Sequence, residues 1–281
     1  MISFPNAKIN LGLRIISERD DGYHNIESVF YPINIFDILE VVKSNNQNKK
    51  FTINYSNNFQ TIKNDLCEKS YNLLDTDFNL PPVNVYLHKN IPIGAGLGGG
   101  SSNAVSMLKI LNSLFKLNLN DEQLLFYCKK LGSDCPFFLK NKPAFVSGLG
   151  DEINSSISIS LSKYKLLLIS PSKFISTKKV FTSMKNKKIL INNQIKSKYF
   201  VKLFNEKFIN SWKENLKNDL EFTTFSFIPE LKKVKEKLYN MGAVYASMTG
   251  SGSSVYGLFL KHTDVNHDWK KEYNCFSFSL D

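Results

Sequence analysis

The segment of this chain with the clearest chemical potential is the glycine-rich run GAGLGGGSS at residues 94–102. Glycine has no Cβ, so successive backbone N–H groups in such a run can converge on one anion. The strand-like stretch VNVYLHK at 83–89 precedes the run, and a helical pattern of apolar residues follows from Ala104. The N-terminus of that helix adds partial positive charge at the same place. The segment therefore predicts a phosphate-binding loop.

Other interpretations of the run fit less well. Gly94, Gly96 and Gly99 satisfy the GxGxxG spacing of dinucleotide-binding folds, but no acidic residue ends a second strand about twenty residues later. A Walker loop needs a lysine before its Ser or Thr, and none is present. A flexible linker would not lead directly into a patterned helix. If the loop binds phosphates, Ser101 or Ser102 can offer a hydroxyl oxygen to Mg²⁺.

The surrounding pattern predicts the elements that must position this loop. Residues 8–13 and 26–37 predict strands. Asn120 and Gln123 have the spacing of a capping box that opens a helix through Leu131. Pro229 and Gly242 bracket a further helix. Additional strands are predicted near 143–147, 164–169 and 255–260. Strands and helices mixed without regular alternation indicate an α+β fold, with a boundary between two halves near residues 150–165.

The net charge of +11 raises the possibility of a nucleic-acid partner. The basic residues are almost all scattered lysines, and only Arg14 and Arg19 carry the guanidinium group that base and phosphate recognition favours. The charge therefore indicates solvated faces that can also attract polyphosphate ligands, and we expect no nucleic-acid partner.

Targeting and cysteine patterns favour a cytoplasmic location. The N-terminus MISFPNAKIN lacks the features of a signal peptide, and no apolar run approaches the ~20 residues of a membrane span. We therefore expect no membrane association. Cys67, Cys128, Cys135 and Cys275 show no CxxC spacing, which argues against both a zinc site and a disulfide framework.

Three motifs together resemble the GHMP small-molecule kinases: PNAKINLGL at 5–13, PIGAGLGGGSSNA at 92–104 and MTGSGSSVYGLF at 248–259. DDGYHNIESVF at 20–30 and LGSDCPFFL at 131–139 are similar to the members that act on a cytidine-diphosphate-linked methyl-sugar alcohol. Departures from the family pattern are Cys135, Asp151, Thr249 and Tyr256. The resemblance implies a two-domain fold, with a ribosomal-protein-S5-like domain at 1–155 and a ferredoxin-like domain at 156–281.

The resemblance also implies catalytic roles for Lys8 and Asp134. From the residues alone, Asp134 in the turn GSDCP is equally well a turn or helix cap. Lys8 stands between Ala7 and Ile9, where it would be costly to bury unpaired, although it could also extend to solvent from an edge strand. Pairing the two would keep the carboxylate ionised, so that it can accept a proton from an attacking hydroxyl.

Further site residues are carried over from the resemblance. We expect contacts with ATP from the loop residues Pro92, Ile93, Gly94, Ala95, Gly96, Leu97, Gly98, Gly99, Gly100, Ser101 and Ser102, and with adenine from Asn64 and Lys89. We expect contacts with the cytidine-linked substrate from Asn10, Tyr23, His24, Thr177, Phe181, Gly250 and Ser251. An aromatic face can stack on the base while an imidazole reads its polar edge.

Several rivals stay open at this point. Another kinase of the same family, acting on homoserine, mevalonate or a sugar, would share the glycine loop. A catalytically silent nucleotide-binding regulator on the same fold would not need both Lys8 and Asp134. An RNA-binding protein would bind with strong salt dependence and without regard to ATP.

Overall fold

A computed structural model describes residues 1–46, 48–56, 64–154, 159–185, 197–204, 206–265, 269, 271 and 273–280, with only the backbone at 185, 197–199 and 206–208. The strands are β1 (Ile2–Ser3), β2 (Asn6–Glu18), β3 (His24–Phe36), β4 (Ile38–Lys43), β5 (Phe51–Tyr55), β6 (Val83–His88), β7 (Ala144–Ser147), β8 (Glu152–Asn154), β9 (Tyr164–Pro171), β10 (Tyr245–Met248), β11 (Val255–Leu260) and β12 (Tyr273–Ser279). The α-helices are α1 (Leu66–Phe78), α2 (Gly99–Leu114), α3 (Asp121–Leu131), α4 (Cys135–Lys140), α5 (Thr177–Lys185), α6 (Ser197–Lys202), α7 (Trp212–Asn215), α8 (Glu221–Phe227) and α9 (Glu230–Asn240), and a 3₁₀ helix spans Glu206–Ser211.

The chain folds into two compact units. The first comprises Met1–Ala7, Ile35–Ile93 and Gly98–Lys142, and the second comprises Lys8–Asn34, Gly94–Leu97 and Pro143–Asp281. The glycine-rich run is thus divided, since Gly94–Leu97 belong to the second unit and the residues from Gly98 onward belong to the first.

The first unit is built on a sheet with strand order β1-β4-β6-β5. Strands β4 and β6 are antiparallel, whereas β5 runs parallel to β6. Val83, Val85 and Leu87 of β6 are buried while Tyr86 is exposed, which is the alternation expected of a strand with one covered face. Helices α1 and α2 pack together, and α2 contacts α4. Gly99, the first residue of α2, lies close to Lys89 and Ile91, which follow the end of β6.

The second unit contains two sheets, ordered β2-β3-β7-β8 and β10-β11-β9-β12. In the latter, β9 pairs antiparallel with both β11 and β12. Helix α9 covers this sheet with Leu231, Val234 and Leu238, which join a buried apolar cluster with Ile169 and Val255. This cluster is the core that supports the loop between β10 and β11.

The predicted α+β fold is confirmed, and so are the predicted strands and helices. The capping box is formed: the Asn120 side chain accepts from the Gln123 N–H, and the Gln123 side chain accepts from the Asn120 N–H. Helix α9 begins after Pro229 and ends before Gly242. The four cysteines are free. Within the described part of the chain, no helix combines the length and apolar character that a bilayer span requires.

Candidate functional site

The glycine-rich run has the backbone of an anion cradle. Gly94, Gly96 and Gly98 have positive φ angles of 64°, 79° and 70°, whereas the intervening Ala95 and Leu97 are buried and anchor the segment. Left-handed residues that alternate with ordinary ones turn neighbouring N–H groups toward one side of the chain. Helix α2 begins immediately afterwards with Gly98 as its N-cap. The backbone of Gly94–Leu97 in the second unit and the start of α2 in the first unit each have a conformation that suits phosphate binding, and contact with a phosphate stays a prediction.

A second glycine turn, at residues 249–254, contacts the backbone of the Gly94–Leu97 segment. Residues 249–254 connect β10 to β11, whose pairing closes with Met248 opposite Val255. The Thr249 hydroxyl donates to the Gly96 carbonyl at 3.0 Å. The Ser254 N–H donates to the Ala95 carbonyl at 3.1 Å. The turn is thus a hairpin connection that also holds the glycine-rich segment in place.

Lys8 and Asn10 lie on one face of β2, as predicted, and both side chains are buried. The Lys8 ammonium donates to Asn10 Oδ1 at 2.7 Å and lies 4.3 Å from the centre of the Phe30 ring. The backbone N–H of Lys8 donates to the Leu97 carbonyl at 2.9 Å, so the strand and the glycine-rich segment are joined. With Lys8 only 2% exposed, the alternative of a lysine extending to solvent is wrong.

Asp134 occupies the N-cap position of α4, yet its side chain makes no capping hydrogen bond. The next residue, Cys135, is buried. Burial raises the pKa of its thiol to about 12, while a hydrogen bond with Ser101 acts in the opposite direction. The contact between Cys135 and Ser101 brings the Asp134 turn to the first turn of α2 within the first unit. Because Lys8 belongs to the second unit, its pairing with Asp134 stays a prediction.

The residues predicted to bind the cytidine-linked substrate are grouped in the second unit. The ring centroids of His24 and Phe181 are 5.2 Å apart, with an angle of 33° between the ring planes. Tyr23, beside His24, is 64% exposed. The hydroxyls of Thr177 and Ser251 are hydrogen-bonded at 2.7 Å. Sequence positions separated by more than 70 residues are thus brought together in pairs, although contact with a ligand stays a prediction.

Comparison with known proteins identifies the family. The model of the GHMP kinases N terminal domain matches residues 64–142, and that of the GHMP kinases C terminal domain matches residues 200–273. The chain belongs to the GHMP kinase family. A 4-diphosphocytidyl-2-C-methyl-D-erythritol kinase from Bacteroides thetaiotaomicron is 46% identical to it over 100% of both chains. The predicted boundary near residue 155 falls between the two matched ranges and stays a prediction.

Solved structures of GHMP kinases have the same architecture. A crystal structure of 4-(cytidine 5'-diphospho)-2C-methyl-D-erythritol kinase has a TM-score of 0.74 and 27% identity, covering 92% of this chain and 90% of the other. A mevalonate kinase has a TM-score of 0.69 at 15% identity, covering 100% of this chain and 99% of the other. The second likeness shows only that the fold is shared. Membership of a kinase family implies that this chain uses ATP.

In this GHMP kinase, Lys89 is held in a buried ion pair that the sequence did not reveal. Its ammonium binds the Asp37 carboxylate, and both side chains are buried. Asp37 also accepts from the backbone N–H groups of Asn90 and Ile91, each at 2.8 Å. Ile91 in turn leaves no room for a side chain on Gly99, whose Cβ would lie 2.8 Å from the isoleucine. Asp37 therefore fixes the chain that leads into the glycine-rich run.

Asn64 precedes α1 in a left-handed conformation, with φ of 59°. The next residue, Asp65, caps α1 by accepting from the Cys67 N–H at 2.7 Å. Asn64 and Lys89 both belong to the first unit. Their contacts with adenine stay predictions.

Sequence reasoning missed some of the residues that organise the site. Ser28 is fully buried and accepts a hydrogen bond from the Asn10 amide at 2.9 Å. Asn218 donates to the carbonyls of Met248 and Gly250, at 2.9 and 2.8 Å, and so holds the second glycine turn. The available signal was a polar residue next to a short apolar stretch, since Ser28 precedes VFY and Asp37 follows IF. Among the described residues, no group of three or more His, Cys, Asp or Glu side chains could hold a metal ion.

Proposed function

We propose that this protein transfers the γ-phosphoryl group of ATP to the 2-hydroxyl of 4-(cytidine 5'-diphospho)-2-C-methyl-D-erythritol, a step of non-mevalonate isoprenoid precursor biosynthesis. The observation that carries the proposal is the full-length match, at 46% identity, to a relative named for this activity. The substrate is a small molecule, and neither nucleic acid nor membrane takes part. We place the enzyme in the cytoplasm.

The cytidine end of the substrate would be bound by aromatic residues of the second unit. His24 and Phe181 already have neighbouring rings at 5.2 Å, and Tyr23 presents an exposed ring beside them. A pyrimidine can stack on such a ring, while an imidazole nitrogen hydrogen-bonds with its polar edge. A substrate without cytidine would forgo these interactions. This supports a cytidine-linked alcohol over mevalonate or homoserine.

The triphosphate would be bound by the glycine-rich run. The positive φ angles at Gly94, Gly96 and Gly98 support convergent N–H donors, and the start of α2 supplies the helix dipole. Mg²⁺, when bound, would neutralise charge on the phosphates. Mg²⁺ takes few protein ligands beside phosphate oxygens and water, so a hydroxyl of Ser101 or Ser102 is a fitting donor although the described residues hold no acidic cluster.

The chemical step requires positioning and a proton acceptor. We assign the acceptor role to Asp134, whose carboxylate is not used as a helix cap. The hydroxyl oxygen forms a bond to the γ-phosphorus, the bond from that phosphorus to the bridging oxygen breaks, and ADP leaves with the electron pair. The hydroxyl proton passes to Asp134. Lys8 orients the hydroxyl and offsets developing negative charge.

A coupled assay of ADP release tests the proposal. The purified chain is supplied with ATP and Mg²⁺ and with the cytidylyl substrate, mevalonate or homoserine in turn. The proposal predicts turnover with the cytidylyl substrate and little with the other alcohols. Equal turnover of mevalonate or homoserine would favour a different GHMP kinase. No turnover with any alcohol, together with retained ATP binding, would favour a silent regulator.

A further inference from the structure

A buried hydrogen-bond network connects β2, β3 and the second glycine turn around Asn10. We propose that Ser28 is a positioning residue that fixes the orientation of the Asn10 amide and thereby the place of the Lys8 ammonium. The inference rests on the proposed function, since it matters for catalysis only if Lys8 serves a phosphoryl transfer. Lys8, Asn10 and Ser28 are 2%, 1% and 0% exposed, so water does not compete for their hydrogen bonds.

The direction of the Ser28 hydroxyl is set by its neighbour on β2. Ser28 Oγ lies 2.5 Å from the carbonyl oxygen of Gly12. A carbonyl oxygen only accepts, so the single hydrogen of the hydroxyl is committed to Gly12. Toward Asn10, Ser28 can then only accept. The group of the Asn10 amide that faces Ser28, at 2.9 Å, must therefore be the NH₂.

The orientation of the Asn10 amide determines which of its atoms faces the Lys8 ammonium. With its NH₂ directed to Ser28, Asn10 presents Oδ1 to the Lys8 ammonium at 2.7 Å. An ammonium has three donors and no acceptor, so a flipped amide would place donor against donor. Oxygen and nitrogen of an amide have almost the same shape, and packing alone does not distinguish the two orientations. The Lys8 ammonium and Ser28 both favour the observed orientation, and Ser28 is the acceptor that holds the NH₂ end of the amide in place.

Thr249 does not fix the orientation of the Asn10 amide. The Thr249 hydroxyl lies 3.2 Å from Asn10 Oδ1 and 3.0 Å from the Gly96 carbonyl, so its hydrogen has two acceptors to choose from. If the amide flipped, the Thr249 hydroxyl could donate to Gly96 and accept from the amide NH₂. Ser28 has no such freedom, because its hydrogen is committed to Gly12.

The test compares Ser28→Ala with Ser170→Ala. Ser170 is also a buried strand serine of the second unit, and its hydroxyl has no hydrogen-bond partner among the described residues. Misplacing a reacting group by a fraction of its diameter can cost about a hundredfold in rate. We therefore expect Ser28→Ala to lower kcat by about tenfold to a hundredfold, with the KM for ATP unchanged. Ser170→Ala should behave as wild type. Wild-type kcat in Ser28→Ala would overturn the inference.

A double variant separates positioning from a general structural effect. If Ser28 acts through Asn10, adding Ser28→Ala to Asn10→Ala should cause no further loss of kcat. Multiplying losses in the double variant would overturn the inference. If Ser28→Ala does not fold, Ser28→Cys takes its place. A smaller loss of kcat is then expected, because the sulfur can still accept from the Asn10 amide, although weakly.

Crystal structures of wild type and Ser28→Ala test the role of Ser28 without relying on catalytic activity. A wild-type chain that releases no ADP with the cytidylyl substrate would contradict the proposed function and leave the geometry to decide about Ser28. In that case, the structures of wild type and Ser28→Ala are compared at Lys8. The inference predicts that the 2.7 Å contact between Lys8 Nζ and Asn10 Oδ1 is lost in Ser28→Ala. Its retention would overturn the inference.

Discussion

Gly96 and Thr249 are in backbone contact that no other residue at position 96 would allow. A Cβ built on Gly96 would lie 2.1 Å from the carbonyl oxygen of Thr249, and the φ angle of Gly96 is 79°. Both the left-handed conformation and the close approach require glycine. Although 153 positions separate them in sequence, the two residues are also joined by the hydrogen bond from the Thr249 hydroxyl to the Gly96 carbonyl. The Gly94–Leu97 segment and the second glycine turn are therefore held against each other within the second unit.

Gly96→Ala should distort both turns. We expect the substitution to lower the free energy of unfolding by about 1–3 kcal/mol or more, because the backbone must move to remove the clash. Urea denaturation monitored by tryptophan fluorescence measures the change. Gly100→Ala is the matched control. Gly100 lies in the first turn of α2, and a Cβ built on it would lie 3.6 Å from Leu66 of α1, which is an ordinary van der Waals distance. An equal loss of stability in both variants would contradict the close contact.

His24→Ala should discriminate between the two substrates. Loss of an aromatic contact with a base costs about 1–3 kcal/mol, so we expect the KM for the cytidylyl substrate to rise by roughly tenfold to a hundredfold. The KM for ATP should stay within about twofold of wild type. Initial-rate kinetics with each substrate varied in turn gives both values. His88→Ala, which removes a half-buried ring bonded to Ser56 in the first unit, is the control. Equal effects on both substrates would contradict the assignment of His24.

Asp37→Asn should destabilise the protein through Lys89. The substitution leaves the ammonium of Lys89 buried without a charge partner in that pair, and breaking a buried pair costs about 3–5 kcal/mol. Chemical denaturation checks this, and Asp37→Asn combined with Lys89→Met should recover part of the loss. Glu230→Gln is the control, because the Glu230 pair with Lys173 is exposed and exposed pairs contribute about 1 kcal/mol or less. Similar losses of stability in Asp37→Asn and Glu230→Gln would show that the buried Asp37–Lys89 pair contributes no more than an exposed pair.

Asp219→Asn should alter stability in a pH-dependent way. Burial raises the pKa of Asp219, although the hydrogen bond from the Ile15 N–H and the charges of Arg14 and Lys217 act in the other direction. A carboxyl with a raised folded-state pKa stabilises the fold below its unfolded pKa of about 3.9, and this contribution is lost as pH rises through the folded value. The asparagine oxygen can still accept from Ile15 without the cost of a buried charge.

The variant should therefore be more stable than wild type at neutral pH, and this advantage should disappear under acid conditions. Thermal or urea unfolding over a pH series measures the difference between the two proteins. A variant that is less stable than wild type by the same amount at every pH would show that ionisation of Asp219 carries no cost.

Features that depend on residues close together in the chain could be predicted from the sequence. The capping box pairs Asn120 with a residue three positions away, and strand geometry alone put Lys8 and Asn10 on one face. The sequence did not suffice where a polar residue acts on a distant part of the chain. Asp37 is 52 positions from Lys89, and Ser28 is 18 positions from Asn10 on another strand. Such partners depend on which strands become neighbours, and neither residue type nor local spacing reveals that.

The turnover of Asp134→Asn and Lys8→Ala with ATP and the cytidylyl substrate shows directly whether Lys8 and Asp134 carry out the phosphoryl transfer. A general base contributes about 10²- to 10⁴-fold, so we expect kcat of Asp134→Asn to fall by that range, with a comparable loss in Lys8→Ala. Titration calorimetry should show that both variants still bind ATP. Near-normal turnover in either purified, folded variant would show that the replaced residue is not needed for phosphoryl transfer.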